Sequence, residues 1–235
     1  MLLCLIALAS AATYEQVDAR LDEIEALREH RILKGLPVPS DADVRKAAGG
    51  TIVVGVSGNS AWATAVINVP IGQLWAGLND ETRHPGYTAV GYSELLAGRV
   101  CEPGRQVLQY LPIPVPFVDD RWWVTTISSN PKLALESGNS VREMFWNGAV
   151  DPAAVHTASG KKIIAKAAPI KSSSGGWLLV AVDQFSTYVE YFSYADPGEG
   201  IPASVSSKLA GTGLRDNVLA ITKFSKEGSP VCTVF

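Results

Sequence analysis

The chain has 235 residues, 47% of them apolar and 18% charged, enough to bury the core of one domain of roughly 200 residues. That charged share is below the roughly 25% of ordinary soluble domains, so many side chains face an interior or a cavity. A net charge of −3 without a basic block excludes an electrostatic nucleic-acid surface, and Lys161-Lys162 is too small a patch to hold an anionic membrane.

Met1 to Ala12 is apolar and uncharged and ends in small residues, with Ala7-Leu8-Ala9 and Ala9-Ser10-Ala11 both fitting the A-x-A pattern of signal peptidase. Residues 1–12 read as a signal peptide, which would export the protein to the periplasm or outside the cell. A misassigned start, with a cytoplasmic protein, or a short buried turn are the competing readings. Thr13 to Leu33 carries Val17, Leu21, Ile24, Leu27 and Ile32 near helical spacing, and Gly35, Pro37 and Pro39 end it. This helix and a linker occupy residues 13–49, ahead of a domain over 50–235.

Thr51–Ser57 and Ala61–Val69 form a hairpin around Gly58-Asn59-Ser60, and Ile71–Leu78 follows Pro70 as a short helix. Strand-like runs then recur over 87–96, 99–111, 120–128, 141–146, 162–182 and 187–195, with breaks expected at Pro169 and at Ser172–Gly176, the latter a loop or bulge. This is an antiparallel meander. Ile201 to Phe224 reads as one long amphipathic helix through Val205, Leu209, Leu214, Val218 and Ile221. Gly211 and Gly213 weaken it by about 1 kcal/mol each relative to Ala, unless they permit close approach or motion. The order is that of an α+β helix-grip fold: a curved antiparallel sheet wrapped around a long C-terminal helix, with an internal hydrophobic cavity. Alternation along 121–128 puts Trp123, Thr125 and Ile127 on one face, taken as inward, and Trp122, Val124 and Thr126 on the other.

Two motif segments carry a resemblance. Pro114-Val115-Pro116 leads into Asp120-Arg121-Trp122-Trp123, and Tyr188-Val189-Glu190-Tyr191 runs into Asp196-Pro197-Gly198-Glu199-Gly200-Ile201-Pro202 before the last helix. In both segments, in this order, the chain resembles the START lipid-binding domains of the SRPBCC superfamily. The resemblance implies non-catalytic binding, and transfer, of one lipid or sterol-like molecule. It also implies transient membrane contact, a monomer, and no cofactor or metal. The expected ligand-lining residues are Leu108, Tyr110, Trp123, Thr125, Ile127, Trp146, Tyr191 and Leu209. Two departures stand out. The D-P-G-G turn is one residue longer here, and Ile127 occupies the position where some members bury an arginine for a polar head group.

Arg121 reads as a structural anchor of the neighbouring turn, through Asp119 or Asp120. Trp75 and Trp177 fit a pocket wall or ordinary core equally well. An enzyme of the same superfamily, such as a cyclase or hydratase acting on a polyketide-like compound, would need ionisable groups converging in the cavity, with Arg142, Glu143 and Glu190 as candidates. A module with its cavity filled by side chains is a third reading. His30, His84 and His156 fall on the first helix or in loops, and Ser159-Gly160-Lys161-Lys162 matches S-x-x-K by letter without its companion motifs. Cys101 and Cys232, which would remain after signal cleavage, either pair in an oxidising compartment or stand as separate thiols.

Overall fold

The computed structural model describes Ala12 to Ser229, except positions 150 and 202, together with Cys232. The expected signal segment falls almost wholly outside the described residues, as do a few side chains of the last helix. Thr13 caps α1 (Tyr14–Glu23) through a reciprocal bond with Gln16. The helix expected over 13–33 breaks at Ile24, and a single turn, α2 (Glu25–Arg28), follows. The break lets Arg28 and Arg31 turn down onto the sheet. Part of the expected linker is a third helix, α3 (Asp41–Ala48), capped by Ser40 and Asp43 in another reciprocal box.

β1 (Val53–Ser57) and β2 (Ser60–Ile67) form the expected hairpin, and α4 (Ile71–Leu78) follows Pro70. Then come β3 (Tyr92–Ala97), β4 (Arg105–Leu111), β5 (Arg121–Ser129), α5 (Pro131–Glu136) and β6 (Val141–Ala149). The run read as one interrupted strand over 162–182 holds three elements, α6 (Ala158–Ile164), β7 (Ala168–Pro169) and β8 (Ser172–Ala181). Thr157 caps α6 by accepting the Gly160 amide. Ser172–Gly176 is regular strand, because its small residues make room for large neighbours: a Cβ on Gly175 would meet the Trp146 ring, and one on Gly176 would meet Leu33. β9 (Thr187–Asp196) and α7 (Ala203–Glu227) complete the chain.

The sheet order is β1-β2-β9-β8-β6-β5-β4-β3, antiparallel between every neighbouring pair, with β7 alone pairing parallel on β5. α7 and α4 pack on the inner face, where Leu214, Val218 and Ile221 of α7 join Ala61, Ala63, Ala65, Leu74, Trp177 and Val189 in the main core. This is the α+β helix-grip architecture.

The outer face is not bare. Val17, Ile24 and Val44 cover Leu178, Val180 and Tyr188 in a second apolar cluster. Beside it Glu190 accepts Arg28 at 2.6 Å and Arg31 at 2.9 Å, while Glu143 accepts the Ile32 amide at 2.8 Å and Asn130 at 2.9 Å. Both carboxylates are buried yet partnered, as a buried charge requires. Cys101 in the β3–β4 turn is disulfide-bonded to Cys232 beyond α7, so the two thiols left open by the sequence are joined.

Candidate ligand cavity

Between the inner face and α7 lies a cavity of about 650 Å³. Period-two alternation aims Trp123, Thr125 and Ile127 of β5 into it, with Trp146 of β6, Trp177 of β8 and Tyr191 of β9. Trp177 and Tyr191 are cross-strand partners stacked at 3.8 Å between centroids, and Trp146 stands 6.0 Å from Tyr191 at a tilt. Two of the polar ends are committed: Asn217 of α7 donates to the Tyr191 hydroxyl at 2.9 Å, and the Trp146 indole donates to Ser173 at 3.2 Å. Burial pushes the Tyr191 hydroxyl up to about 12, so it stays neutral.

One end of the cavity is polar. Glu81 and His84, in the turn after α4, lie on its wall. Behind them Arg105 donates to Glu81 at 2.9 Å, to Asn79 at 3.0 Å and to the Glu102 carbonyl at 2.6 Å. Burial pushes the Glu81 carboxyl up against the pull of Arg105. It pulls the His84 ring down to about 4, leaving a neutral imidazole edge-on to Phe224. Arg105 is the register partner of Ile127, so a guanidinium stands directly across from the position where the resemblance implies one. Its bonds to Glu81, Asn79 and Glu102 fasten the 79–84 turn to β4.

At the other end Arg121, buried at the start of β5, donates to the carbonyls of Pro197 at 2.8 Å and Glu199 at 2.9 Å and also to the Asp119 carbonyl. The anchor expected of Arg121 through Asp119 or Asp120 is made to their backbone carbonyls and extends to those of the D-P-G-E-G turn. It physically joins the two motif segments: D-R-W-W holds the D-P-G-E-G turn that launches α7.

No protein-family model and no curated protein matches the sequence. Solved structures do match. A STAR-related lipid transfer protein fragment from Xanthomonas axonopodis is 18% identical and superposes with a TM-score of 0.59 over 74% of this chain and 93% of its own. Human StAR-related lipid transfer protein 5 is 8% identical at a TM-score of 0.56, over 91% of this chain and 97% of its own. A START superfamily protein from Mycobacterium smegmatis is 13% identical at 0.51, over 72% and 97%. The fold is START-like.

Within this START-like frame, five of the residues expected on the cavity wall lie on it: Trp123, Thr125, Ile127, Trp146 and Tyr191. Leu108 and Tyr110 do not. The register pairs Leu108 with Val124 and Tyr110 with Trp122, which puts both on the outer face, where Leu108 packs with Leu96, Trp122 and Val155 and Tyr110 donates to Asp120. Gln109 and Leu111 take the inner positions instead. The Leu209 side chain lies outside the described residues. Glu143 and Glu190 face away from the cavity, and Arg142, on the inner face, sits 5.5 Å from the Trp75 ring. His30 pairs with Glu136 at 2.5 Å, and Ser159 approaches Glu94, both away from the cavity. Among the described residues no cluster could hold a metal ion, and no helix is long and apolar enough to cross a membrane.

The sequence reading missed the Glu81–His84 end. Glu81 and Arg105 are 24 residues apart in unremarkable turn and strand composition, and no local pattern links them.

Proposed function

We propose that this protein is a non-catalytic carrier that binds, and moves, one lipid or sterol-like molecule in the cavity as a monomer. The observation that carries the reading is the cavity itself, about 650 Å³ with a mainly apolar and aromatic wall, inside the roughly 300–1,000 Å³ range of small-molecule sites. Each 100 Å² of apolar ligand surface withdrawn from water contributes about 2.5 kcal/mol. The lipid transfer proteins among the structural neighbours support the same reading. Of the three groups named for the enzyme alternative, Glu143 and Glu190 point outward and Arg142 faces inward, while Glu81 on the cavity wall is engaged by Arg105; the cavity volume disfavours a pocket closed by side chains.

Loading takes place at a membrane, by transient contact through the loop between β4 and β5. That loop carries Ile113 and Pro114 on the cavity wall and a fully exposed Phe117 beyond them. Gly213 lies on the cavity side of α7 with open space beside it and gives the helix freedom to lift, while Gly211 lets it pack closely on Val56 of β1. Export fits a protein with a disulfide, since such bonds persist in oxidising compartments.

Native mass spectrometry of protein purified gently from its own host tests the carrier reading. The expected result is an added mass that leaves on denaturation. A clean ligand-free mass, together with no binding across a lipid and sterol panel, would overturn it.

A further inference from the structure

The cavity wall contains a built aromatic plate. Trp146 is held at two points of the neighbouring strand β8. Its Nε1 donates to Ser173 Oγ at 3.2 Å, and its six-membered ring overlies Gly175, where an added Cβ would fall 2.3 Å from Cζ2. Ser173 and Gly175 share one face of β8, two residues apart, so the indole is laid along that strand. Glycine at 175 is what lets the ring sit that low.

The ring is half-buried and lines the cavity. Tyr191 stands at 6.0 Å and is stacked on Trp177, which extends the wall across three strands. Trp123, also half-buried, continues it on β5 beside Gly148, where an added Cβ would approach the indole to 3.2 Å. The indole N–H of Trp146 and the hydroxyl of Tyr191 are already engaged by Ser173 and Asn217, so this wall offers ring faces more than hydrogen bonds.

From this geometry we infer that the cavity selects a flat, fused-ring hydrophobe, stacked on Trp146, over a flexible acyl chain. This deepens the carrier reading and rests on it. A rigid planar guest matches a preformed plane and loses little conformational freedom on binding, whereas an acyl chain must surrender many rotamers to lie against it. An aromatic nucleus gains stacking on the indole, and a saturated steroid nucleus gains the close contact of one flat face.

The test titrates pyrene, cholesterol and palmitic acid into the full chain, by tryptophan quenching and calorimetry, with wild-type, Trp146→Leu and Ser173→Ala proteins. At least one fused-ring probe should bind wild type about tenfold more tightly than palmitate. Tight pyrene with weak cholesterol assigns an aromatic guest, and tight binding of both assigns the flat nucleus itself. Trp146→Leu keeps an apolar side chain but removes the plate, and should weaken the ring probes about tenfold while moving palmitate about threefold or less. Ser173→Ala unpins the indole without disturbing Gly175 and should shift the ring probes in the same direction by less. The wild-type comparison stands even if a variant fails to fold. Palmitate binding as tightly as both ring probes, or all three weakening equally in Trp146→Leu, would overturn the inference and leave the carrier reading intact. If nothing in the set or in a wider lipid panel binds, both fail.

Discussion

Replacing both Cys101 and Cys232 by serine removes a bond that spans 131 residues of sequence, more than half the chain. A cross-link that long strongly restricts the unfolded ensemble, and loop-closure entropy puts its contribution near 5 kcal/mol at room temperature. Native-state relaxation and residual unfolded structure reduce such figures, so the expected loss is about 3–5 kcal/mol. For a chain of this size that lowers the melting temperature by about 6–20 °C. Urea denaturation of the oxidised wild type, the reduced wild type and the double serine variant measures it, and the last two should agree. The bond also fastens the tail beyond α7, where Ser229 donates to Asp80 at 2.7 Å, to the β3–β4 turn, so hydrogen exchange should rise at both places in the variant. A loss below about 1 kcal/mol would refute the reasoning, because it would mean the unfolded chain is already held together without the bond.

Arg121→Leu leaves the part-buried carbonyls of Pro197 and Glu199 without their donor and should cost about 1–3 kcal/mol, with amide exchange rising over 196–200; unchanged exchange there would count against the anchor. His84 gives a pH signature. Its folded value, about 4, lies below the 6.5 of the free ring, so its stabilising contribution is full above 6.5 and fades as the pH falls toward 4, by up to about 3 kcal/mol. His84→Gln should therefore lose less stability than wild type between pH 7 and pH 4 in urea titrations, and equal losses would show that His84 is not the group responsible. Phe117→Asp should slow ligand pickup from neutral vesicles about tenfold while equilibrium affinity for free ligand holds, and an unchanged pickup rate would remove this loop from the membrane contact.

What the sequence makes legible depends on whether a pattern has a phase. On β5 the outer Trp122 and Val124 are as apolar as the inner Trp123 and Ile127, yet the set Trp123, Thr125 and Ile127 taken as inward lies on the cavity wall. On β4 the run Val107-Leu108-Gln109-Tyr110-Leu111 is apolar or amphipathic on both faces, because one face meets the cavity and the other is covered by Val155 and its neighbours. Alternation then has no preferred phase, and only the register with β5 decides that Leu108 and Tyr110 point out. α3 is legible in Ser40 and Asp43, a cap signature directly after Pro39. The pair Glu81–Arg105 is not, since it is made by a turn folding back onto a strand. The paired motifs were readable as a signature, but their reason is structural: Arg121 bonds one to the other.

The covering of the outer face by residues 12–48 has a practical side. Through Arg28, Arg31 and the Val17 cluster the start of the described chain is fixed to the side of the sheet opposite the cavity. A purification tag, fluorophore or surface tether joined directly to Ala12 is therefore attached on the outer side of the sheet rather than in front of α7. The protein can be immobilised by that end with its ligand side presented to solution.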